Sequence, residues 1–184
     1  GLSFRQKMAL NYVAKESKLT RLGNQFYTNT FTPAFPSNAY DRFLKAVVAT
    51  AKGQPTPVIV NFAVTPQCPC NCWHCSFSDR SKKEIMTLAK LKKSIAEVQD
   101  LGASVIGLTG GEPLLRKDII EIIRDTAAVK NIASVHMTTN GIFLKENLAA
   151  LKDAGLHGLN ISLETLKEER FKKIARRPGM NLVF

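Results

Sequence analysis

The feature that most constrains the fold of this chain is a fourfold alternation of strand and helix patterns after residue 57. Runs rich in β-branched residues predict strands at 58–64, 104–109, 133–139 and 158–163. An amphipathic helical pattern follows each strand, at about 87–101, 117–127, 145–154 and 167–175. Repeated βα units indicate a parallel sheet with right-handed crossovers, so we predict an α/β fold.

The number of βα units indicates an incomplete barrel. Four units cannot close an eight-stranded (β/α) barrel. A sheet that stopped at the fourth strand would expose a parallel edge, which is an aggregation hazard. We therefore interpret residues 58–184 as a partial (β/α) TIM-like barrel whose later strands are absent from this chain.

Residues 1–57 read as a helical N-terminal arm and linker. A basic helix is predicted over residues 1–20, with Gly23 as its stop, followed by an extended connector over 28–36. Ser37 is a candidate N-cap for a second amphipathic helix that ends near Gly53. We expect the arm to pack against the core.

The charge of the chain is strongly basic, with a formal net charge of +11. Such an excess suits an anionic partner such as nucleic acid, but it also suits solvated helix faces, which we favour. The six basic residues of Lys167–Arg177 are interpreted in the same way, with an RNA contact as the weaker alternative. No apolar run reaches the roughly 18 residues that a membrane span needs.

All four cysteines of the chain lie in one stretch of eight residues directly after the first predicted strand. Disulfides between such close neighbours would close only tiny strained loops, so we predict a reducing, cytoplasmic setting and a metal. Cys68, Cys72 and Cys75 have the spacing C-x-x-x-C-x-x-C, which suits an iron–sulfur cubane with one iron left open. We expect Cys70 to point away from them. A zinc site, made by all four thiolates or by three with His74, is the competing hypothesis.

Three further motifs occur at the ends of the other strands. Gly110-Gly111-Glu112-Pro113 follows the second strand, Thr138-Thr139-Asn140-Gly141 ends the third, and Ser162 and Glu164 follow the fourth. Parallel βα folds place their sites at the carboxyl ends of strands. Each motif alone is compatible with an ordinary turn. Their coincidence at one edge predicts a functional site there.

Two of these motifs carry a family resemblance. The C-x-x-x-C-x-x-C loop after the first strand, with Gly-Gly-Glu-Pro after the second, resembles the radical S-adenosylmethionine (SAM) superfamily over about residues 58–179. The segment Ile161–Phe171 is similar to the branch that holds molybdenum-cofactor cyclases and SPASM-type maturases.

The resemblance implies a role for each motif. Cys68, Cys72 and Cys75 would ligate three irons of a 4Fe–4S cluster, and SAM would chelate the fourth iron. His74 would lie where the backbone approaches the adenine. The remaining contacts to SAM would come from residues at the methionine amino group (Gly110, Gly111, Glu112) and at the ribose or carboxylate (Thr138, Asn140, Ser162).

The implied activity is reductive cleavage of SAM to a 5′-deoxyadenosyl radical that abstracts hydrogen from a substrate. An electron would come from a one-electron donor such as a flavodoxin or ferredoxin, and no protein base or nucleophile is expected in this first step. The substrate cannot be read from the sequence, although the fourth segment favours maturation of a peptide, protein or cofactor. The alternative is a non-catalytic metal-binding module, either an iron–sulfur electron carrier or a zinc domain. A chain without its closing strands could also be inactive.

Overall fold

A four-stranded parallel sheet forms the centre of the molecule. The computed structural model describes residues 19–29, 31–79, 84–129 and 134–183. The strands of the sheet are β3 (Ile59–Thr65), β4 (Val105–Gly110), β5 (Ser134–Thr139) and β6 (Gly158–Ile161). They pair in the order β3-β4-β5-β6, so neighbours in sequence are neighbours in the sheet.

One helix follows each strand of this sheet: α2 (Leu88–Asp100), α3 (Ile119–Ala128), α4 (Leu144–Asp153) and α5 (Glu168–Ala175). The α/β class and the four βα units are therefore confirmed. Thr87 caps α2, because its hydroxyl accepts a hydrogen bond from the Lys90 amide. Short 3₁₀ turns lie at Pro113–Leu115 and Met180–Leu182.

The N-terminal region differs from its prediction. The predicted helix over 1–20 lies outside the described residues except for its last two positions, and Thr20 instead begins strand β1 (Thr20–Leu22). This strand pairs antiparallel with β2 (Gln25–Tyr27), and Gly23, expected to stop a helix, lies in the connecting turn with φ 58°. A two-residue hairpin turn with glycine first requires such a positive φ.

The second helix of the arm agrees with its prediction. Helix α1 spans Asn38–Ala51, and the Ser37 hydroxyl accepts a hydrogen bond from the Tyr40 amide as its N-cap. Gly53 follows the helix with φ 83°. Arg42 on α1 donates to the carbonyls of Ala103 and Gln99, which fastens the helix to the core domain.

The main core lies between the sheet and its helices. One face of each strand packs on them, through residues such as Ile106, Leu108, Val135 and Met137. Because side chains alternate along a strand, the neighbouring residues lie on the opposite face of the sheet. We call this opposite face the inner face. The side chains at its centre are polar and carry no full charge: Asn61, Thr109, His136, Thr138 and Asn160. Among the described helices, none is both long and apolar enough to cross a membrane.

Candidate active site and cofactor-binding loops

The predicted motifs meet at the carboxyl edge of the sheet. Strand β3 leads into the cysteine loop (residues 66–79), β4 into the Gly110–Pro113 loop, β5 into Asn140 and Gly141, and β6 into Ser162. Parallel strands in direct sequence order bring these loops side by side.

The two glycines of the second loop allow it to lie directly against the start of the cysteine loop. The Gly111 amide donates to the Thr65 carbonyl over 2.7 Å, and the Glu112 amide donates to the Gln67 carbonyl over 2.6 Å. A Cβ atom on Gly110 would come within 2.6 Å of the Thr65 oxygen, and one on Gly111 would collide with the Gln67 carbonyl. The glycines therefore hold the base of the cysteine loop in place.

The carboxylate of Glu112 joins the second and third loops. The side chain is 0% exposed. Its oxygens accept hydrogen bonds from the Thr139 hydroxyl at 2.7 Å, the Asn140 amide at 2.8 Å and the Leu114 amide at 3.1 Å. Burial raises the pKa of Glu112, although these three donors act in the opposite direction.

Thr139 is a residue of the candidate site whose contact with Glu112 the sequence analysis missed. We singled out Thr138 instead, which faces the inner side of the sheet. Thr139 alternates in step with Val135 and Met137, which face the helices. A hydroxyl at a buried position needs a partner, so strand alternation was the signal that could have identified it.

We call Gly110–Glu112, Thr139 and Asn140 the clasp, because their hydrogen bonds join the second and third loops. The thiols of the C-x-x-x-C-x-x-C motif lie half-buried beside the clasp. The Asn140 side-chain amide lies 3.9 Å from the sulfurs of both Cys68 and Cys70. Burial raises the pKa of the Cys72 thiol, and the nearby charges of Glu164 and of the neighbouring cysteines raise it further.

Cys70 does not point away from the other cysteines as expected. Its side chain is 5% exposed and packs with Ile142, Phe171 and Ala175 in a second small core, which Cys68 and Cys72 also contact. A hydrogen bond with the Cys68 thiol and burial raise the pKa of Cys70, while the charge of Arg177 opposes them. A small, weakly polar thiol is well suited to such a core, which explains its inward direction.

Helix α5 closes the far side of the cysteine loop. The amides of Asn71 and Trp73 donate to the carbonyls of Ala175 and Ile174 over 3.0 and 3.3 Å. These carbonyls belong to the last turn of the helix and have no partner within it. The imidazole of His74 lies 3.4 Å from the Glu164 carboxylate, with its ring edge-on to that of Trp73.

The structure places the other predicted contact residues around the same edge. Thr138 is half-buried on the inner face of β5. Ser162 is exposed, and its amide donates to the Thr139 carbonyl over 2.9 Å, which extends the parallel ladder past β6. Gly110, Gly111, Glu112, Asn140 and the cysteines are thus brought together, whereas the Glu112 carboxylate is already hydrogen-bonded within the protein.

The donor set fits an iron–sulfur cluster. Cys68, Cys72 and Cys75 are cysteines of intermediate exposure on a loop at the edge of the sheet. Soft thiolates are the ligands that such clusters use. A bound cation would stabilise an ionised thiol such as that of Cys72, whose pKa burial and nearby negative charges otherwise raise. Within the described residues, no three Cys, His, Asp or Glu side chains already converge on a single metal ion.

Comparison with protein families identifies the class of this fold and site. The Radical SAM superfamily matches residues 62–182, which include the cysteine loop and all four strand ends. The chain belongs to the radical SAM superfamily, which is a superfamily of enzymes.

Similar curated proteins include GTP 3′,8-cyclases. That of Moorella thermoacetica is 36% identical over 129 residues, which are 68% of this chain and 40% of the relative. That of Rhodopirellula baltica is 40% identical over 134 residues, which are 67% of this chain and 36% of the relative. The chain thus spans well under half the length of these two relatives.

Solved structures confirm the fold. Streptococcus suis SuiB bound to precursor peptide SuiA superposes with a TM-score of 0.60 at 16% identity, covering 95% of this chain and 40% of SuiB. BtrN in complex with AdoMet and 2-DOIA gives a TM-score of 0.53 at 24% identity, covering 69% of this chain and 54% of BtrN. Identities this low show a common fold only.

Proposed function

We propose that Cys68, Cys72 and Cys75 hold a 4Fe–4S cluster that binds SAM, and that the protein containing this chain is a radical SAM enzyme of cofactor, peptide or protein maturation. When bound, the cluster supplies the electron that cleaves SAM reductively to methionine and a 5′-deoxyadenosyl radical, which abstracts hydrogen from the substrate. The observation that carries the proposal is the position of the three-thiol loop, clamped at the carboxyl edge of the sheet by the Gly110–Glu112 backbone.

The residues of the chain have distinct tasks in this proposal. Gly110 and Gly111 hold the cysteine loop and leave open backbone beside it for the methionine end of SAM. Glu112 serves this end mainly by fixing Asn140, whose side-chain amide faces the sulfurs. Thr138 and Ser162 offer hydroxyls to the ribose or carboxylate, because a hydroxyl both donates and accepts. The backbone at His74 lies beside the adenine.

The inner face of the sheet supports a substrate recognised by hydrogen bonds. Its central side chains are amides, hydroxyls and one imidazole: Asn61, Thr109, His136, Thr138 and Asn160. The relatives are GTP cyclases, so GTP is the first substrate to test. The described strands offer hydrogen bonds to a base or sugar but no cation at the centre of this face. A triphosphate would need cationic groups from elsewhere.

The proposal is tested by SAM cleavage without oxygen. We would reconstitute the 184-residue chain and the longest natural chain that contains it with iron and sulfide, and reduce them with dithionite. The expected products are 5′-deoxyadenosine and methionine, with GTP increasing turnover if it is the substrate. No cleavage by the longer chain would contradict the proposal. Activity of the longer chain alone would show that segments outside these 184 residues are required.

Analysis of the bound metal distinguishes the proposed enzyme from a non-catalytic metal-binding module. Zinc at about one atom per chain without iron would replace the proposal with a structural site. The crowding of all four cysteines within eight residues also supports a reducing compartment, and we propose that the protein works in the cytoplasm. Retained thiols in protein isolated from that compartment would be measured by alkylation under denaturing conditions.

A further inference from the structure

Helix α5 connects the surface of the molecule directly to the cysteine loop. Two amides of that loop, those of Asn71 and Trp73, donate to carbonyls in the last turn of α5. On its inner side the helix packs Phe171 and Ala175 against Cys70. Whatever binds the outer face of α5 is therefore separated from the loop by the thickness of one helix.

The last turn of α5 and its C-cap residue carry basic side chains that make no ion pair within the described part of the chain, with Glu168 and Glu169 one turn earlier on the helix. Lys172, Lys173 and Arg176 are exposed, and none has a carboxylate within ion-pair distance among the described residues. Lys172 and Lys173 lie in the last turn of α5, and Arg176 is the C-cap residue that directly follows the helix with φ 53°. Lys92 on α2 shows the opposite case, because Glu121 and Asp125 hold its ammonium at 2.6 and 2.5 Å.

An exposed aromatic residue is hydrogen-bonded through its backbone to the last turn of α5, the turn that carries Lys172 and Lys173. Trp73 is 67% exposed, although its backbone is bonded to α5. Tryptophan and arginine are the residues most enriched at energetically important positions of protein interfaces. A tryptophan next to unpaired cations is therefore typical of a docking surface, whereas a merely solvated helix face needs no exposed indole.

We propose that Trp73, Lys172, Lys173 and Arg176, the α5 docking face, bind an acidic one-electron donor protein. The inference rests on the proposed function, because the cysteine loop must receive electrons there. The donor is oxidised by one electron and the iron–sulfur cluster held by the loop is reduced by one, with no other atom transferred. The donor's acidic surface complements the unpaired cations, and the short path through α5 explains why this face serves the loop.

The test compares binding and reduction in charge-reversed protein. We would use the reconstituted longest natural chain, an acidic flavodoxin as the probe, and the variant K172E/K173E/R176E. At low ionic strength the dissociation constant, measured from flavin fluorescence, should rise about 10-fold to 100-fold. The difference should shrink as salt is added. The variant K172Q/K173Q/R176Q, which removes charge without placing acids at a helix C-terminus, should show a smaller rise and covers misfolding of the first variant.

The matched control is K45E/K52E/K152E, which makes the same charge change on the exposed lysines of α1, α4 and the turn after α1. Its dissociation constant for flavodoxin should stay within about twofold of that of the unmodified protein, because salt screens charges that lie far from the docking face. Equal weakening by both triple variants would overturn the proposal, since net charge alone would explain it. Unchanged flavodoxin binding by both α5 variants would also overturn it. The proposal would also be overturned if the α5 variants lost affinity for an RNA oligonucleotide but kept their affinity for flavodoxin.

Dithionite separates this inference from the proposed function. This small reductant needs no docking face, so the α5 variants should cleave SAM with dithionite at the unmodified rate and lose rate only with flavodoxin. Cleavage by dithionite without any flavodoxin binding would leave the proposed function standing and contradict the docking face. Flavodoxin binding that depends on α5 in protein that never cleaves SAM would contradict the proposed function alone.

Discussion

The Glu112 side and the cysteine side of the candidate site differ in whether the chain itself supplies partners for their polar groups. On one side, the Glu112 carboxylate is fully buried and accepts three hydrogen bonds from its own chain. On the other side, the motif thiols lie half-buried, and burial and neighbouring negative charges raise the pKa of Cys72. The first side is completed by folding, and in the proposed function a metal cluster completes the second. The clasp is thus a rigid support that positions a loop for a group from outside.

The largest expected effect is loss of the cluster on the thiol side. Cys72→Ala should reduce iron from about four atoms per chain to less than about one, because a cubane needs its thiolate ligands. The unfolding temperature of the metal-free protein should change little, since Cys72 is only half-buried. Iron analysis and circular dichroism measure the two quantities.

Cys70→Ala is the control for this prediction. It should retain the iron but destabilise the metal-free protein by about 1 kcal/mol, because it removes a small apolar group from the second core. Loss of iron in Cys70→Ala with retention in Cys72→Ala would reverse the assignment of ligands.

The next largest effect is a loss of stability when Glu112→Ala removes the hydrogen bonds of the clasp. Glu112→Ala leaves the Thr139 hydroxyl and the amides of Leu114 and Asn140 without their acceptor. Buried donors without partners are costly, so we expect a loss of about 3 kcal/mol in the free energy of unfolding. Urea unfolding of metal-free protein measures it.

Thr139→Val is the matched control for the clasp. It removes one donor to the carboxylate, which keeps its other two, and it also removes the acceptor of the Gly141 amide, so its loss should be smaller than that of Glu112→Ala, at about 1 to 2 kcal/mol. A stability of Glu112→Ala equal to that of the unmodified protein would show that the clasp is not a finished structural unit.

A smaller effect tests why the second loop needs glycine. A methyl group on Gly111 would collide with the Gln67 carbonyl, so Gly111→Ala should displace the base of the cysteine loop and cost about 2 kcal/mol. Gly53→Ala meets no atom within 4 Å, but Gly53 has φ 83°, so only the backbone penalty of about 1 kcal/mol applies. Only Gly111→Ala should also weaken SAM binding, measured by equilibrium dialysis.

The smallest effect lies in an ion pair beneath the clasp. Arg116 is buried and donates to both carboxylate oxygens of Asp118, whose pKa is lowered chiefly by this hydrogen bond. A carboxyl with a lowered folded pKa stabilises the protein above its unfolded pKa of about 3.9, and this stability is lost as the pH falls through the folded value. Asp118→Asn should therefore cost about 1 kcal/mol at pH 7 and less below about pH 4. A pH-independent difference in urea midpoints would contradict this.

Local sequence signals predicted most of the fold. The strands, their helices and the cap at Ser37 follow from periodicity and capping chemistry, which depend on near neighbours. The hairpin at Gly23 was missed because a glycine after a basic helical pattern fits a helix stop equally well.

The site was predicted in position but not in its internal contacts. The strand ends located the four loops, because topology decides which loops meet. The inward direction of Cys70 depends on Phe171, about a hundred residues later in the chain, and the partners of Glu112 come from another strand. Such contacts between distant residues have no periodic signal in a single sequence.

The central claim is that three cysteines hold a cluster with one iron open to SAM. The most direct measurement is electron paramagnetic resonance of the dithionite-reduced, reconstituted protein with and without SAM. We predict an iron–sulfur signal that SAM changes, in the unmodified protein and in Cys70→Ala, and no such signal in Cys72→Ala. A signal that is identical with and without SAM, or protein that binds zinc and no iron, would contradict the claim.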